Sequence, residues 1–327
     1  MEFNQHHVFS INSPEEFHEK ALQIFQYQYR ENKVYHEFCH YLKIQHETVR
    51  QLKDIPFLPI QFFKSKKVII EHAIPEVVFT SSGTTGATTS NHFVSDLSIY
   101  DKSFQIAFEL FYGPVSEYCI LALLPSYLER EGSSLIYMAN TMISQSKHPN
   151  SGFYLNNLNE LTATLRRLVA NNEKVLLLGV SFALLDLAER VDFKLSNVIV
   201  METGGMKGRR REMVRNELHA ILKKAFGVPT IHSEYGMTEL LSQAYAKREG
   251  IFHCPPWMSI LIRDTEDPLT YQKMGKTGGI NIIDLANVNS CSFIATQDLG
   301  KMVSQNAFEV LGRFDHADIR GCNLMVI

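Results

Sequence analysis

Residues 78–86 read V-F-T-S-S-G-T-T-G, an apolar run that leads into four hydroxyl side chains and two glycines within six residues. A Gly/Ser/Thr loop at a strand end lets backbone N–H groups and hydroxyls converge on a polyphosphate, because glycine permits close approach and φ > 0. It is not a Walker A loop, since Gly83 has no second glycine five positions on followed by Lys-Ser/Thr. Taken alone, such a stretch is more often a polar turn. Two further segments share its design. A strand ending at Met201 is followed by E-T-G-G-M-K-G, and one ending at His232 by S-E-Y-G-M-T-E. Ligands of open α/β sheets sit beyond the carboxyl ends of strands, so the three loops are expected to line one crevice.

The rest of the chain supports that sheet. Short apolar runs at Val77–Phe79, Cys119–Leu124, Val175–Leu178, Asn197–Met201 and Thr230–His232 read as strands. Helical patterns at Asp96–Tyr112, Leu158–Asn171, Phe182–Arg190 and Arg209–Phe226 lie between them. In the last, Met213, Val214, Leu218, Ile221 and Leu222 form the expected apolar face. This alternation predicts an α/β fold with a substantial parallel sheet. Residues 1–55 read as a helical N-terminal part, with Phe17, Ala21, Ile24 and Phe25 at helical spacing. From Gly275 the pattern turns to strands, so 275–327 is expected to be a β-rich terminal subdomain of a single domain, 1–327.

Composition narrows the function. At 327 residues, 45% apolar and 20% charged, the chain is that of a globular protein. A net charge of −3 gives no general reason to expect nucleic acid or an anionic membrane as partner. The start, MEFNQHHVFS, has no basic region followed by an apolar one, and Val175–Leu185 is too short to span a bilayer. Five scattered cysteines without a C-x-x-C pair argue for a reducing compartment, so a cytoplasmic protein is expected.

Individual residues in the loops suit nucleotide chemistry. Tyr235, beside Gly236, could lay its ring on a planar base. Thr238 and Glu239 could serve a Mg²⁺ ion that bridges phosphates. A helix start, with Thr238 or Ser233 as N-cap, is the competing reading. Asp298, in T-Q-D-L-G, is placed in a turn after a strand, where it could accept from ribose hydroxyls or bond its own backbone. Arg313, in G-R-F-D, could meet a phosphate or ribose, or pair on the surface with Asp315 or Asp318.

In this order the segments resemble the adenylate-forming superfamily of acyl- and aryl-CoA ligases, over residues from about 56 to the end. Finer features, P-F-L-P-I-Q-F-F-K from residue 56, L-P-S-Y-L-E-R-E-G-S-S-L at 124–135, E-T-G-G-M-K-G-R at 202–209 and D-I-R-G-C-N-L at 318–324, are similar to the acyl-protein synthetases. The resemblance implies the large-domain fold of adenylate-forming enzymes and two half-reactions. A carboxylic acid, fatty by this resemblance, attacks the α-phosphate of MgATP, and a thiol then takes the acyl group. It implies that Ser81, Ser82, Gly83, Thr84, Thr85 and Gly86 hold the departing phosphates. Gly204 and Gly205 would wall the adenine and Tyr235 would stack on it. Thr238 and Glu239 would sit at phosphate and Mg²⁺, Asp298 at the ribose, and Arg313 at the ribose or α-phosphate.

In acyl-CoA ligases a small mobile domain follows G-R-x-D and supplies a lysine. The sequence here ends twelve residues after Asp315, so that domain is expected to be absent. Lys207, or one of Arg209–Arg211, would then supply the cation. The resemblance makes Cys322 the acceptor of the acyl group as a thioester, with Arg320 and His316 nearby to favour thiolate. Onward transfer would go to a protein or thiol partner, a reductase or carrier protein among them. Direct ligation to CoA, with Cys322 incidental, is the alternative. A nucleotide-binding scaffold without turnover is the second.

Overall fold

The computed structural model describes residues 5–81, 89–125, 132–204 and 213–314. Its helices are α1 (Pro14–Glu31), α2 (Lys33–Tyr41), α3 (Phe62–Ser65), α4 (Leu97–Tyr112), α5 (Ser134–Ser146), α6 (Leu158–Ala170), α7 (Ser181–Ala188) and α8 (Arg215–Phe226). The first seven strands are β1 (Leu58–Pro59), β2 (Val77–Thr80), β3 (Asn91–Val94), β4 (Cys119–Leu123), β5 (Gly152–Phe153), β6 (Val175–Val180) and β7 (Val198–Thr203). Seven more follow: β8 (His232–Tyr235), β9 (Ala244–Ala246), β10 (Ile251–His253), β11 (Met258–Arg263), β12 (Gly278–Asp284), β13 (Phe293–Ser304) and β14 (Ala307–Arg313).

One twelve-stranded sheet organises them, in the order β11-β12-β13-β14-β10-β9-β8-β7-β6-β4-β5, with β1 paired to β13. Strands β5, β4, β6, β7 and β8 are mutually parallel. Every residue of β4 and β6 is buried, as expected of parallel strands covered on both faces. From β8 onward the pairings along this order are antiparallel, and only the short β1 joins β13 in parallel. The terminal part is β-rich, and it joins the parallel half edge to edge through β9 and β10. Strands β2 and β3 form a separate antiparallel pair.

Local chemistry fixes the helix ends. Ser13 caps α1 by accepting from the Glu16 N–H, and Pro14 occupies the first helical turn, where its missing N–H costs nothing. Asp96 caps α4, and Gly113 ends it at φ +86, a conformation costly for residues with a Cβ. Helix α8 begins at Arg215, and its inward face is Leu218, His219, Leu222 and Phe226. Val214 and Ile221, expected on that face, are exposed.

The N-terminal helices have a definite task. Gln28, fully buried, donates from Nε2 to the carbonyls of Asn287 and Val288 and accepts the Ser292 N–H at Oε1. Asn32 donates to the Ser290 carbonyl while capping α2. Helix α1 thus clasps the 287–292 turn that follows β12. No described helix is long and apolar enough to cross a membrane.

Candidate active site

A cavity of about 310 Å³ opens at the carboxyl ends of β7 and β8. Its walls include Thr203 and Gly204 from the end of β7, and Glu234, Gly236, Met237, Thr238 and Glu239 from β8 and the turn beyond. Ser81 and Ser90 reach it from the stem of β2 and β3, Asp298 from β13, and Arg313 from β14. The structure therefore brings seven of the expected residues, Ser81, Gly204, Gly236, Thr238, Glu239, Asp298 and Arg313, to one cavity. Ser82, Gly83, Thr84, Thr85, Gly86, Gly205, Lys207 and Cys322 lie outside the described residues.

Several local expectations change. Strand β8 runs to Tyr235 rather than stopping at His232, because Ser233, Glu234 and Tyr235 pair with β9. Strand β7 likewise continues to Thr203, and β2 to Thr80. The chain after Gly236 is a turn, so neither Ser233 nor Thr238 caps a helix. Asp298 sits inside the long strand β13 rather than in a turn, opposite Arg313 of β14. Its carboxylate accepts from Arg313 Nε at 3.0 Å and from the Tyr235 hydroxyl at 2.8 Å. That ion pair engages Arg313 Nε and raises the arginine's pKa further, while Asp315 and Asp318 lie outside the described residues. The Tyr235 ring is buried against Phe252 and Phe308 and does not line the cavity. Its contact with the site is the hydroxyl that orients Asp298.

Glu239 is 6% exposed, and burial raises its carboxyl above the ordinary range. The Ser90 hydroxyl, Arg313 and Lys64 oppose that rise. Two side chains hold the backbone of this segment. His92, fully buried, meets the Thr238 carbonyl through Nδ1 at 2.8 Å and Asn287 Oδ1 through Nε2 at 2.9 Å. Asn287 Nδ2 donates to the Glu239 carbonyl at 2.8 Å. Burial pushes the His92 pKa down to about 4. The clamp connects to α1, because Gln28 holds the Asn287 carbonyl. At the base of the 82–88 segment, Ser81 N–H donates to Ser90 O, and Ser90 N–H to Ser81 Oγ.

Sequence reasoning missed Lys64. It stands on α3, lines the cavity and acts electrostatically on Glu239. Its ammonium makes no hydrogen bond or ion pair with another described residue. The signal was the lysine that ends the quoted P-F-L-P-I-Q-F-F-K. His92 and Asn287 carried no motif at all.

The fold defines a class. An open conformation of 2-hydroxyisobutyryl-CoA ligase, in complex with 2-HIB-AMP and CoA, superposes with a TM-score of 0.67 at 11% identity, covering 92% of this chain and 75% of that one. ATP-bound MatB from Rhodopseudomonas palustris superposes with a TM-score of 0.54 at 15% identity over 72% of this chain, which spans 47% of MatB. This is the fold of adenylate-forming ligases. The family model described as acyl-protein synthetase, LuxE, matches residues 7–327. The chain belongs to that family, and the match extends through the N-terminal helices, well before residue 56. It is also 24% identical over 324 residues to a long-chain-fatty-acid–luciferin-component ligase of Vibrio harveyi, covering 92% of this chain and 84% of the relative.

Proposed function

We propose that the cavity activates a carboxylic acid with MgATP and that the acyl group then passes to a thiol, first Cys322 and from there a protein or thiol partner. The observation that carries this reading is the meeting of Thr238, Glu239, Asp298, Arg313 and Lys64 around one cavity, in a chain of the acyl-protein synthetase family. In the first step a substrate carboxylate oxygen bonds to the α-phosphorus, and the bond to the β-phosphate oxygen breaks, releasing pyrophosphate. In the second, a thiolate bonds to the acyl carbon and AMP leaves. The first step needs positioning and charge neutralisation more than covalent help from the protein.

Asp298 is suited to the ribose. Each of its oxygens has one protein donor and keeps a further lone pair for a hydroxyl. The terminal nitrogens of Arg313 and the ammonium of Lys64 are cations for the phosphates. Glu239 and Thr238 would hold Mg²⁺, a hard cation commonly bound by one or two carboxylates plus substrate phosphates, which would neutralise charge on the departing group. The family role of Cys322 gains support from the other thiols. Burial raises Cys39 to about 12 and Cys119 to about 11, and pushes Cys254 and Cys291 higher still. Those four are held as unreactive thiols at neutral pH.

Intact-protein mass spectrometry after incubation with MgATP and a pool of acids tests both steps. The expected result is an ATP-dependent, hydroxylamine-labile adduct, absent in Cys322→Ser while acid-dependent pyrophosphate release persists. Transfer to CoA undiminished in Cys322→Ser would establish direct ligation instead. Glu239→Gln should weaken Mg²⁺-dependent activation much more than stability.

A further inference from the structure

Between Tyr235 of β8 and Ala244 of β9 the chain is irregular, and other elements claim its backbone groups. Met237, Thr238 and Glu239 line the cavity, whereas Leu240, Leu241 and Ser242 are buried. The carbonyls of Thr238 and Glu239 go to His92 and Asn287. The N–H groups that follow go to Asp284, the last residue of β12. Its Oδ2 accepts from the Leu241 N–H at 2.8 Å and the Ser242 N–H at 3.0 Å. Its Oδ1 accepts the Ser242 hydroxyl at 2.5 Å and the Ala286 N–H at 3.1 Å. One carboxylate therefore holds both backbone and side chain of this segment.

The Ser242 hydroxyl is itself fixed. Having donated to Asp284, it accepts from Trp257 Nε1 at 3.0 Å and, by the same proton order, from Ser103 Oγ at 3.2 Å. Trp257 Nε1 also reaches Ser103 Oγ at 3.1 Å. Asp284, Ser242 and Ser103 are fully buried, and none of them lines the cavity.

A buried carboxylate is an expensive means of holding a turn. No described cation pairs with Asp284, so its four donors alone replace the water it has lost. Packing does not require it, since Leu240 and Leu241 already bury the segment. What the carboxylate adds is direction. Hydrogen bonds weaken steeply when misaligned, so two oxygens in one plane fix where the Leu241 and Ser242 N–H groups point. That in turn sets the path of the chain through Thr238 and Glu239.

We infer that Asp284 is a positioning residue for the reaction, setting through Leu241 and Ser242 the place from which Thr238 and Glu239 meet Mg²⁺. The inference rests on the acid-activating reading above, and Asp284 itself touches neither nucleotide nor acid.

Asp284→Leu, Asp284→Asn and Ser242→Ala test it in the full chain. Without turnover, calorimetry gives the factor by which Mg²⁺ tightens binding of α,β-methylene-ATP. With turnover, acid-dependent exchange of labelled pyrophosphate into ATP gives the Mg²⁺ concentration for half-maximal rate. Asp284→Leu loses all four bonds and should raise that concentration about tenfold or more, with the calorimetric factor shrinking to match. Asp284→Asn keeps one oxygen for the two N–H groups and should raise it about threefold. Ser242→Ala loses only the hydroxyl and should raise it least. KM for the acid should stay at the parent value. Melts followed by emission of Trp257, the only tryptophan, show how much of each variant is folded at the assay temperature. If Asp284→Leu does not fold, the other two still report the order. Variants that melt earlier in that order but keep the parent's Mg²⁺ dependence in both assays overturn the inference, since Asp284 is then structural only. An equal rise in KM for the acid marks a general loosening of the cavity and overturns it too. Acid activation stands in both cases. A parent chain without acid-dependent exchange removes the acid-activating reading and the inference with it.

Discussion

Two groups of residues lining the cavity are built on opposite plans. At the nucleotide end the charged groups are paired or braced within the protein. Asp298 is held by Arg313 and Tyr235, and the backbone of Thr238 and Glu239 by His92 and Asn287. Beside Gly236, Gln243 keeps a buried Oε1 that no described residue satisfies, and the Glu234 carboxyl holds a single bond from Thr203. The contrast teaches where preorganisation sits. A preorganised end serves a ligand common to the whole fold class, because fixed dipoles and charges need no rearrangement when the reaction occurs.

Substitutions can break this contrast, and the largest effect belongs to the braced end. Asp298→Ala removes the carboxylate proposed for the ribose and unpairs Arg313 and the Tyr235 hydroxyl. Two hydrogen bonds to a charged group, at about 1.5–3 kcal/mol each, predict a loss of about a hundredfold or more in kcat/KM for ATP. Lys64→Ala comes next. Removing the cation proposed for the phosphates should lower kcat about tenfold or more, with Tm nearly unmoved because the side chain is exposed. Lys64→Arg should recover part of the rate, and a matching fall in Tm would instead show that Lys64 is structural.

His92→Gln tests the brace itself and should cost about 1–3 kcal/mol of stability. It should also change the acid limb of stability. Folded His92, depressed to about 4, resists a proton that the unfolded chain takes near the ordinary 6.5. Stability contributed by this group is therefore lost as pH falls from about 6.5 toward 4, and the variant should lack that component. Glu234 acts with the opposite sign. Its folded value, raised to about 7, binds a proton that the unfolded chain releases near 4.5, so its contribution declines as pH rises through that interval. Thermal melts against pH for His92→Gln and Glu234→Gln should deviate from the parent in opposite directions. The smallest effect belongs to Gly236→Ala. Its methyl would displace the Glu234 carboxyl at the cavity wall and should raise KM for ATP by about threefold.

That Thr238, Glu239, Asp298 and Arg313 meet at one cavity was largely legible in the sequence, and the cluster around Glu234 was not. Thr238, Glu239, Asp298 and Arg313 stand in short polar segments against an apolar background, and strand alternation placed their loops at one sheet edge. The errors arose where distant pairing decides local structure. Ser233 and Glu234 look like the start of a polar loop, yet β9 pairs with them and buries them. Asp298 looks like a turn aspartate, yet Arg313 and Tyr235 stabilise it inside a strand. Glu234 stood inside the quoted S-E-Y-G-M-T-E, but its neighbours Tyr100, Thr203 and Gln243 come from other parts of the chain. No local spacing reveals such a cluster. The brace of Gln28, Asn287 and His92 was hidden for the same reason, since its members are far apart in sequence and meet only through the turn after β12.

The most direct test of acid activation is acid-dependent exchange of labelled pyrophosphate into ATP. With Mg²⁺ and a mixed set of plain, hydroxylated and amino-substituted acids, the parent chain should catalyse exchange only when an acid is present, and Asp298→Ala should nearly abolish it. Exchange that needs no acid, or cleavage of ATP to ADP and phosphate in its place, would contradict the account.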